Sequence, residues 1–291
     1  MFISFAFTVV EFNHLGMLLK RSLDHHLSII FGILLELALR TDLAKGYRSF
    51  SQRARILTET WARENLYCPA CPSDSLQPTP SGKRVIDFTC PSCEEAYQLK
   101  SQSHPFGYRV MNSAYEPKIE AIRNGTVPNF LFLHYNPDAL VVSDLFVVPK
   151  HFISESIIEK RKPLSKNARR SGWVGSNILL GNLPLDARIS IVKDGREIPK
   201  TVVRESWKRF TFLREQSVYS RGWLTDVLAS ISQLERETFT LADVYAFEKK
   251  LAKLHPNNKH IRPKIRQQLQ VLRDHGIIEF LGKGSYRIRK S

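Results

Sequence analysis

All four cysteines of this 291-residue chain fall in one short stretch, as two Cys-x-x-Cys pairs: Cys68 with Cys71, and Cys90 with Cys93, with residues 72–89 between them. Thiolates two residues apart converge on one metal ion, and two such pairs complete a tetrahedral four-sulfur zinc site. The spacing therefore predicts a structural zinc held by Cys68, Cys71, Cys90 and Cys93, and any fold for the chain must bring the two pairs together. No cysteine is left for a disulfide, which fits a reducing cytoplasm.

The second pair belongs to a further pattern. Arg84–Thr89 (RVIDFT) is β-branched and aromatic and reads as a strand, and Ala96–Lys100 (AYQLK) reads as a second, with Cys90 and Cys93 in the knuckle between them. Side chains alternate along a strand, so Val85, Asp87 and Thr89 share one face and Gln98 and Lys100 share another, opposite Tyr97 and Leu99. An acid on one strand and Gln-x-Lys on its partner is a catalytic arrangement. A carboxylate and an amide oxygen can hold a hard divalent cation, and the lysine can steady a nucleophilic water or the developing charge. Asp87, Gln98 and Lys100 are the candidate catalytic residues, with Asp87 and Gln98 as the cation's ligands.

These three residues resemble the D…(E/D)xK core of the PD-(D/E)XK nucleases. The interleaved cysteines and the segments Ser51–Trp61, Pro128–Tyr135, Arg161–Ile178 and Ile261–Arg287 resemble, in order, the DpnI-like methyl-directed restriction endonucleases, over about Leu35 to Arg289. The resemblance implies an α+β architecture: a PD-(D/E)XK nuclease domain with an embedded four-Cys zinc site, then an α-helical winged-helix domain. It also implies that the cation is Mg²⁺ and the protein an Mg²⁺-dependent type II site-specific deoxyribonuclease. Such an enzyme cuts both strands of double-stranded DNA at GATC sites carrying N6-methyladenine. One departure stands out, because the glutamate of that motif is Gln98 here. A catalytically weak or inactive methylated-DNA-binding protein is the alternative expectation.

The remaining chain is consistent with such a partner. Lys and Arg number 43 against 28 Asp and Glu, a formal net charge of +15 that favours a polyanion, and 43% hydrophobic residues exclude a disordered chain. Ser51–Glu64 has Ala54, Leu57 and Trp61 at helical spacing, with Glu59 either a solvated charge or an extra acid for the metal. Ala114–Arg123 reads as a helix ended by Asn124-Gly125, and Asn129–Tyr135 and Leu140–Val148 as two strands of one sheet. His134, inside the first of these, is expected to be a core histidine. Glu159–Ser176 packs Lys160, Arg161, Lys162, Lys166, Arg169 and Arg170 around Trp173, which sits between Gly172 and Gly175. Arg161, Lys162, Arg169 and Arg170 are expected to meet phosphates; by the resemblance, Trp173 lies beside the adenine methyl groups.

Ser220–Gly222 is expected to separate two parts, giving an N-terminal extension over 1–34, a nuclease domain over 35–219 and a winged-helix domain over 220–291. The last reads as helices over Trp223–Leu234, Leu241–His255 (capped by Thr240) and about Pro263–Asp274, then a hairpin about LGKGS. Lys264, Arg266, Gln267, Gln268 and Arg273 lie on or beside the outer face of the third helix and are expected to read the major groove. Val271 is apolar but off that helix's inner stripe. The first residues, to about Glu36, hold two apolar runs, neither reaching the roughly 20 residues that span a bilayer. No basic segment precedes the first run, which argues against an export signal. A non-essential extension from a start codon read too early is expected there, ahead of a membrane-surface helix. The protein is expected to be a monomer in solution with no membrane partner.

Overall fold

The computed structural model describes residues 35–79 and 86–289. The expectations for residues 1–34, and for Arg84 and Val85 at the start of the first catalytic strand, lie outside the described residues. Leu39 onward forms one compact unit.

The first helix, α1 (Phe50–Asn65), buries Leu57, Thr58, Trp61 and Ala62, a single stripe at helical spacing that contains the predicted Leu57 and Trp61. Behind it a seven-stranded sheet runs in the order β1-β2-β3-β5-β6-β9-β10. These strands are β1 (Gln77–Pro78), β2 (Phe88–Thr89), β3 (Ala96–Gln102), β5 (Asn129–Asn136), β6 (Val141–Val148), β9 (Ile189–Lys193) and β10 (Arg196–Glu197). β3 and β5 pair in parallel, while β5–β6 and β6–β9 are antiparallel. β5 is buried on both faces, which is why it reads as an unbroken apolar run rather than an alternating one.

The crossover from β3 to β5 carries β4 (Arg109–Ala114) and α2 (Tyr115–Arg123). β4 leaves the main sheet and joins β8 (Gly175–Leu179) and β7 (Ile158–Lys160) in a second, antiparallel sheet ordered β4-β8-β7. Val110, Ile158 and Ile178 of that sheet share one core with Ile119 and Ile122 of α2 and with Phe130, Phe132 and Val148 of the main sheet. α3 (Lys200–Arg209) brings Trp207 to within 6.4 Å of the ring of Tyr97. β4, β7 to β10 and α3 were not among the predicted elements; most are short or edge strands with weak alternation.

The C-terminal part begins with α4 (Val218–Ser232) and continues through β11 (Thr238–Thr240), α5 (Leu241–Tyr245), α6 (Glu248–Leu254) and α7 (Ile261–Asp274) to the hairpin β12 (Ile278–Gly282) and β13 (Ser285–Ile288). Thr240 caps α5 as predicted, in a capping box with Asp243. Pro263 sits in the first turn of α7. The hairpin turns on Lys283 and Gly284, both with positive φ (47° and 73°), the backbone of a two-residue I′ turn. Two expectations need correction. The predicted second helix is split by a tight turn at Ala246–Phe247, although its apolar stripe survives: Val244 and Leu251 are buried and Phe247 packs on the core. In addition, β11 pairs with β13 and makes the wing a three-stranded sheet. The fold as a whole is a mixed α+β assembly with a sheet core and a helical C-terminal part.

Ser220–Gly222, expected to separate the two parts, lies inside α4. The glycine sits in the helix interior rather than at a hinge, and a Cβ there would meet His255 and Ser154 only at ordinary contact distance, 3.9 and 4.0 Å. One continuous core runs from Phe130 and Phe152 through Phe210, Trp223 and Leu224 to Leu269 and Leu272. A polar cluster reinforces it. Asp226, 4% exposed, accepts hydrogen bonds from Ser156 of the first part (2.7 Å) and from His255 (2.8 Å), whose ring stacks on Trp223 at 3.8 Å. Replacing Asp226 by Ala takes the buried acceptor away from two half-buried donors, Ser156 and His255. The expected loss is about 3 kcal/mol of stability, read from urea unfolding, with both parts melting together.

Candidate active site and zinc centre

Two local structures build the site. The first is the zinc knuckle. The four cysteine sulfurs all lie within 4.8 Å of one another, with Cys68 Sγ 3.6 Å from Cys93 Sγ and Cys71 Sγ 3.5 Å from Cys90 Sγ. Four soft thiolates converging at such distances fit one tetrahedral Zn²⁺. Two backbone hydrogen bonds close the knuckle, Cys90 N–H to Glu95 O (2.9 Å) and Glu94 N–H to Cys90 O (3.0 Å), with Glu94 in the left-handed region (φ 59°). The first cysteine pair is tied to the knuckle through the Tyr97 hydroxyl, 3.2 Å from Cys68 Sγ.

The second structure is the β2–β3 hairpin that the knuckle closes. Phe88 pairs with Tyr97 and Thr89 with Ala96, and Asp87 N–H donates to Tyr97 O (2.9 Å). Asp87 therefore sits beside the middle of β3, and its Oδ2 accepts the backbone N–H of Leu99 at 2.8 Å, between Gln98 and Lys100. The predicted strand is shorter than expected, but its acid is placed against Gln-x-Lys as the alternation required. Lys100 feels Asp87 directly: burial pushes its pKa below the ordinary lysine value, and the carboxylate opposes that shift. Gln98 Oε1 is buried and accepts no hydrogen bond among the described residues. An orphaned buried acceptor beside a carboxylate fits a cation, so Asp87 and Gln98 are the residues that would hold a hard divalent ion.

α1 borders this site. Thr58 Oγ1 donates to Ser101 Oγ of β3 (2.9 Å), and one turn away Arg55 pairs with Glu59 (2.7 Å) within electrostatic reach of Asp87. Glu95 lies on the other face of β3, locked by Asn129 (2.7 Å), Lys150 (3.2 Å) and Arg214 (3.1 Å), and so cannot stand in for the missing carboxylate at position 98. Lys118, which no sequence pattern singled out, projects from α2 onto the sheet face that carries Gln98 and Lys100. It is 2% exposed, and its Nζ lies 4.9 Å over the ring of Phe130, the residue paired with Gln98 across β3–β5. His134 is not purely a core residue: its Nδ1 lies 2.9 Å from Asp144 Oδ2.

The basic segment predicted to meet DNA is a closed hairpin extension of β7 and β8. Backbone bonds from Arg161 to Gly175 (3.0 Å), Leu164 to Trp173 (2.9 Å) and Gly172 to Leu164 (3.2 Å) hold it. Lys162, Lys166, Arg169 and Arg170 are exposed at its tip and, among the described residues, form no ion pair. Arg161 is half-buried. The indole of Trp173 folds over Gly175, where a methyl group would come within 2.8 Å of the ring, so the glycine is there for the tryptophan.

On α7 the predicted readers divide. Arg266 and Gln267 are exposed, and Arg273 is exposed but paired with its neighbour Asp274 (2.8 Å). Lys264 is half-buried over Tyr219 and donates to Gln267 Oε1 (2.8 Å). Gln268 corrects the expectation: at 3% exposed it faces the core beside Leu269 and cannot meet a groove. Gln270 takes its place on the outer face, at helical spacing from Arg266 and Arg273, a signal the i, i+4, i+7 pattern already held. Val271 packs against the core edge.

The zinc reading has a direct check. Purified protein is expected to contain about one zinc per chain. Cys90→Ser, or chelation, is expected to lower the melting temperature and solubility before any effect on divalent-ion chemistry at Asp87, as read by elemental analysis and thermal unfolding.

Comparison with known families follows the same division of the chain. The model of the DpnI, Dam-replacing family matches residues 35–216, and that of the Dam-replacing helix-turn-helix domain matches residues 219–288. The two matches meet just ahead of α4 and between them take in both cysteine pairs, the Asp87–Lys100 hairpin, the Trp173 loop and the helix-and-wing unit. The chain therefore belongs to the DpnI, Dam-replacing family.

Proposed function

We propose that the protein is a methyl-directed restriction endonuclease that cuts duplex DNA at GATC sites with N6-methylated adenine, using a PD-(D/E)XK-type site. Family membership supports a restriction-type, methyl-dependent activity, and the winged-helix unit supports DNA binding. The observation that supports the nuclease reading is the β2–β3 hairpin, which sets Asp87 beside the orphaned Gln98 Oε1 and the half-buried Lys100.

In this reading Asp87 and Gln98 hold Mg²⁺, which would polarise a phosphate oxygen and make a bound water more acidic. Asp87 is oriented for that task by the Leu99 N–H. Lys100, in a dry setting beside Asp87, orients the attacking water and balances charge building on the phosphate. Lys162, Lys166, Arg169 and Arg170 grip the backbone, and Trp173 presents an apolar surface to the adenine methyl groups. Arg266, Gln267 and Gln270 present donors and acceptors to base edges in the major groove. Zinc takes no part in hydrolysis, since a four-sulfur site leaves no open position.

Gln98 supports a second reading: a methylated-DNA binder with weak or no cleavage. An amide has one negative charge fewer than a carboxylate, and Glu95 is committed to the opposite face. The two readings separate in one experiment. Plasmids with and without adenine methylation are digested with Mg²⁺ or Mn²⁺, and binding is measured in Ca²⁺. Selective cutting of the methylated plasmid is expected; equal cutting of both sinks the methyl-directed reading, and tight methyl-selective binding without cutting favours the binder. Gln98→Glu is expected to raise cleavage at low Mg²⁺ by restoring the ligand charge.

For methyl sensing, Trp173→Ala is expected to reduce the methylated-to-unmethylated cleavage ratio about tenfold while leaving thermal stability within a few degrees, because the indole is half-buried and lies in a loop rather than in the main core. An unchanged ratio would make the tryptophan a packing residue.

A further inference from the structure

The catalytic face contains a second buried polar atom without a partner. Lys118 Nζ accepts no company from any acid or carbonyl among the described residues, although the residue is 2% exposed. Leaving a buried donor unpaired is costly, and leaving a buried ammonium unpaired costs more. The strain shows in its proton affinity: burial, and then the like charge of Lys100, pull its pKa down to about 8. The two lysines are thus close enough to repel; among the described residues Asp87 acts on the half-buried Lys100 and no acid acts on Lys118. The face of Phe130 is the one favourable contact seen for the Lys118 ammonium, and such a contact is worth far less than a charged hydrogen bond.

Placement says what the missing partner is. Phe130 is the cross-strand neighbour of Gln98, and Phe132 that of Lys100, so Lys118 stands over the same face of the sheet as the candidate catalytic residues, one strand further in. The backbone of α2 is fixed there by Ile119 and Ile122 in the core, and the lysine carries its charge to the sheet on a four-carbon stem. A group that enters beside Asp87, Gln98 and Lys100 and brings negative oxygens would satisfy it; a phosphodiester has that chemistry.

We propose that Lys118 is a further phosphate-binding residue of the cleavage site, donating to a non-bridging oxygen of the DNA backbone that enters against Gln98 and Lys100. This rests on the nuclease-site reading above for the position of the phosphate, but not on turnover or on methyl selectivity. The pairing stores in the free protein a charge that the DNA neutralises on arrival, so the residue weakens the fold and strengthens the complex.

The test is Lys118→Met, which keeps the length and the apolar stem and removes the charge. Binding to methylated and to unmethylated duplexes is measured in Ca²⁺, so that no strand is cut and a failure of methyl selectivity leaves the result readable. Affinity is expected to fall about tenfold on both duplexes. A neutral methylphosphonate is then placed at each linkage of the site in turn; at one linkage the difference between wild type and Lys118→Met should vanish, because the contact is already gone. Cleavage in Mg²⁺, where wild type cuts, is expected to drop about 100-fold. The melting temperature of the free protein at pH 7 is expected to hold or rise, since a buried unpaired charge has been removed. Wild-type affinity in the variant, a penalty that survives every methylphosphonate, or a loss of binding that simply follows a lower melting temperature would each overturn the proposal. Lys118→Arg, which keeps the charge, should restore binding in part; no restoration in a stably folded variant would likewise count against it.

Discussion

The register of one hairpin holds the candidate site together. Cys90 N–H bonded to Glu95 O fixes where β2 turns into β3, and from that point every residue's face is decided. A slip of one residue would carry Asp87 away from the Leu99 amide and turn Gln98 and Lys100 toward Tyr97's side. Four cysteines oppose the slip. They are placed by the turn itself, at Cys90 and Cys93, and by a distant loop, at Cys68 and Cys71, so a metal ion held by all four would clamp the hairpin from outside as well as within. Tyr97, buried with its hydroxyl against Cys68 and its ring near Trp207, carries that constraint into the main core. The cysteine cluster is thus distinct in chemistry from the Asp87–Lys100 hairpin but adjacent to it in sequence, and the fold uses that adjacency.

How much of this was legible beforehand follows from how local each signal is. The cysteine spacing and the placing of Asp87 against Gln-x-Lys are short-range signals, and both are found, although the strand that carries Asp87 is shorter than its pattern predicts. So are α1, α2, β5 and β6, whose apolar periods or runs are long enough to stand out, and Thr240, whose capping box with Asp243 is contained in four residues. The misses are non-local. Lys118 looks like any helix lysine until β5 lies beneath it. Gln268 and Gln270 are the same residue type two positions apart, and only the direction of the core tells that the first is buried and the second exposed. β4, β7 and β8 exist because they pair with one another, a property none of the three segments carries alone.

Glycine misled in one place and informed in another. Gly222, which follows Ser220 and Arg221, reads as a break, yet it lies inside α4, where a Cβ would meet its neighbours only at ordinary contact distance. At Gly175, two residues after Trp173, a Cβ would come within 2.8 Å of the indole, so there the missing side chain makes room for a neighbour that the sequence does not name.

The helix that begins the C-terminal part contributes Trp223, Leu224 and Asp226 to an interior it shares with Phe152, Ser156 and Phe210. A protein built this way is not modular. Its helix-and-wing unit cannot be exchanged for another of the same shape without opening the interior of its companion. With the outward face of α7 and the tip of the Arg169–Trp173 loop as the proposed DNA-reading surfaces, a change of sequence preference would come from point substitutions there, because those exposed positions change without repacking, rather than from an exchange of domains.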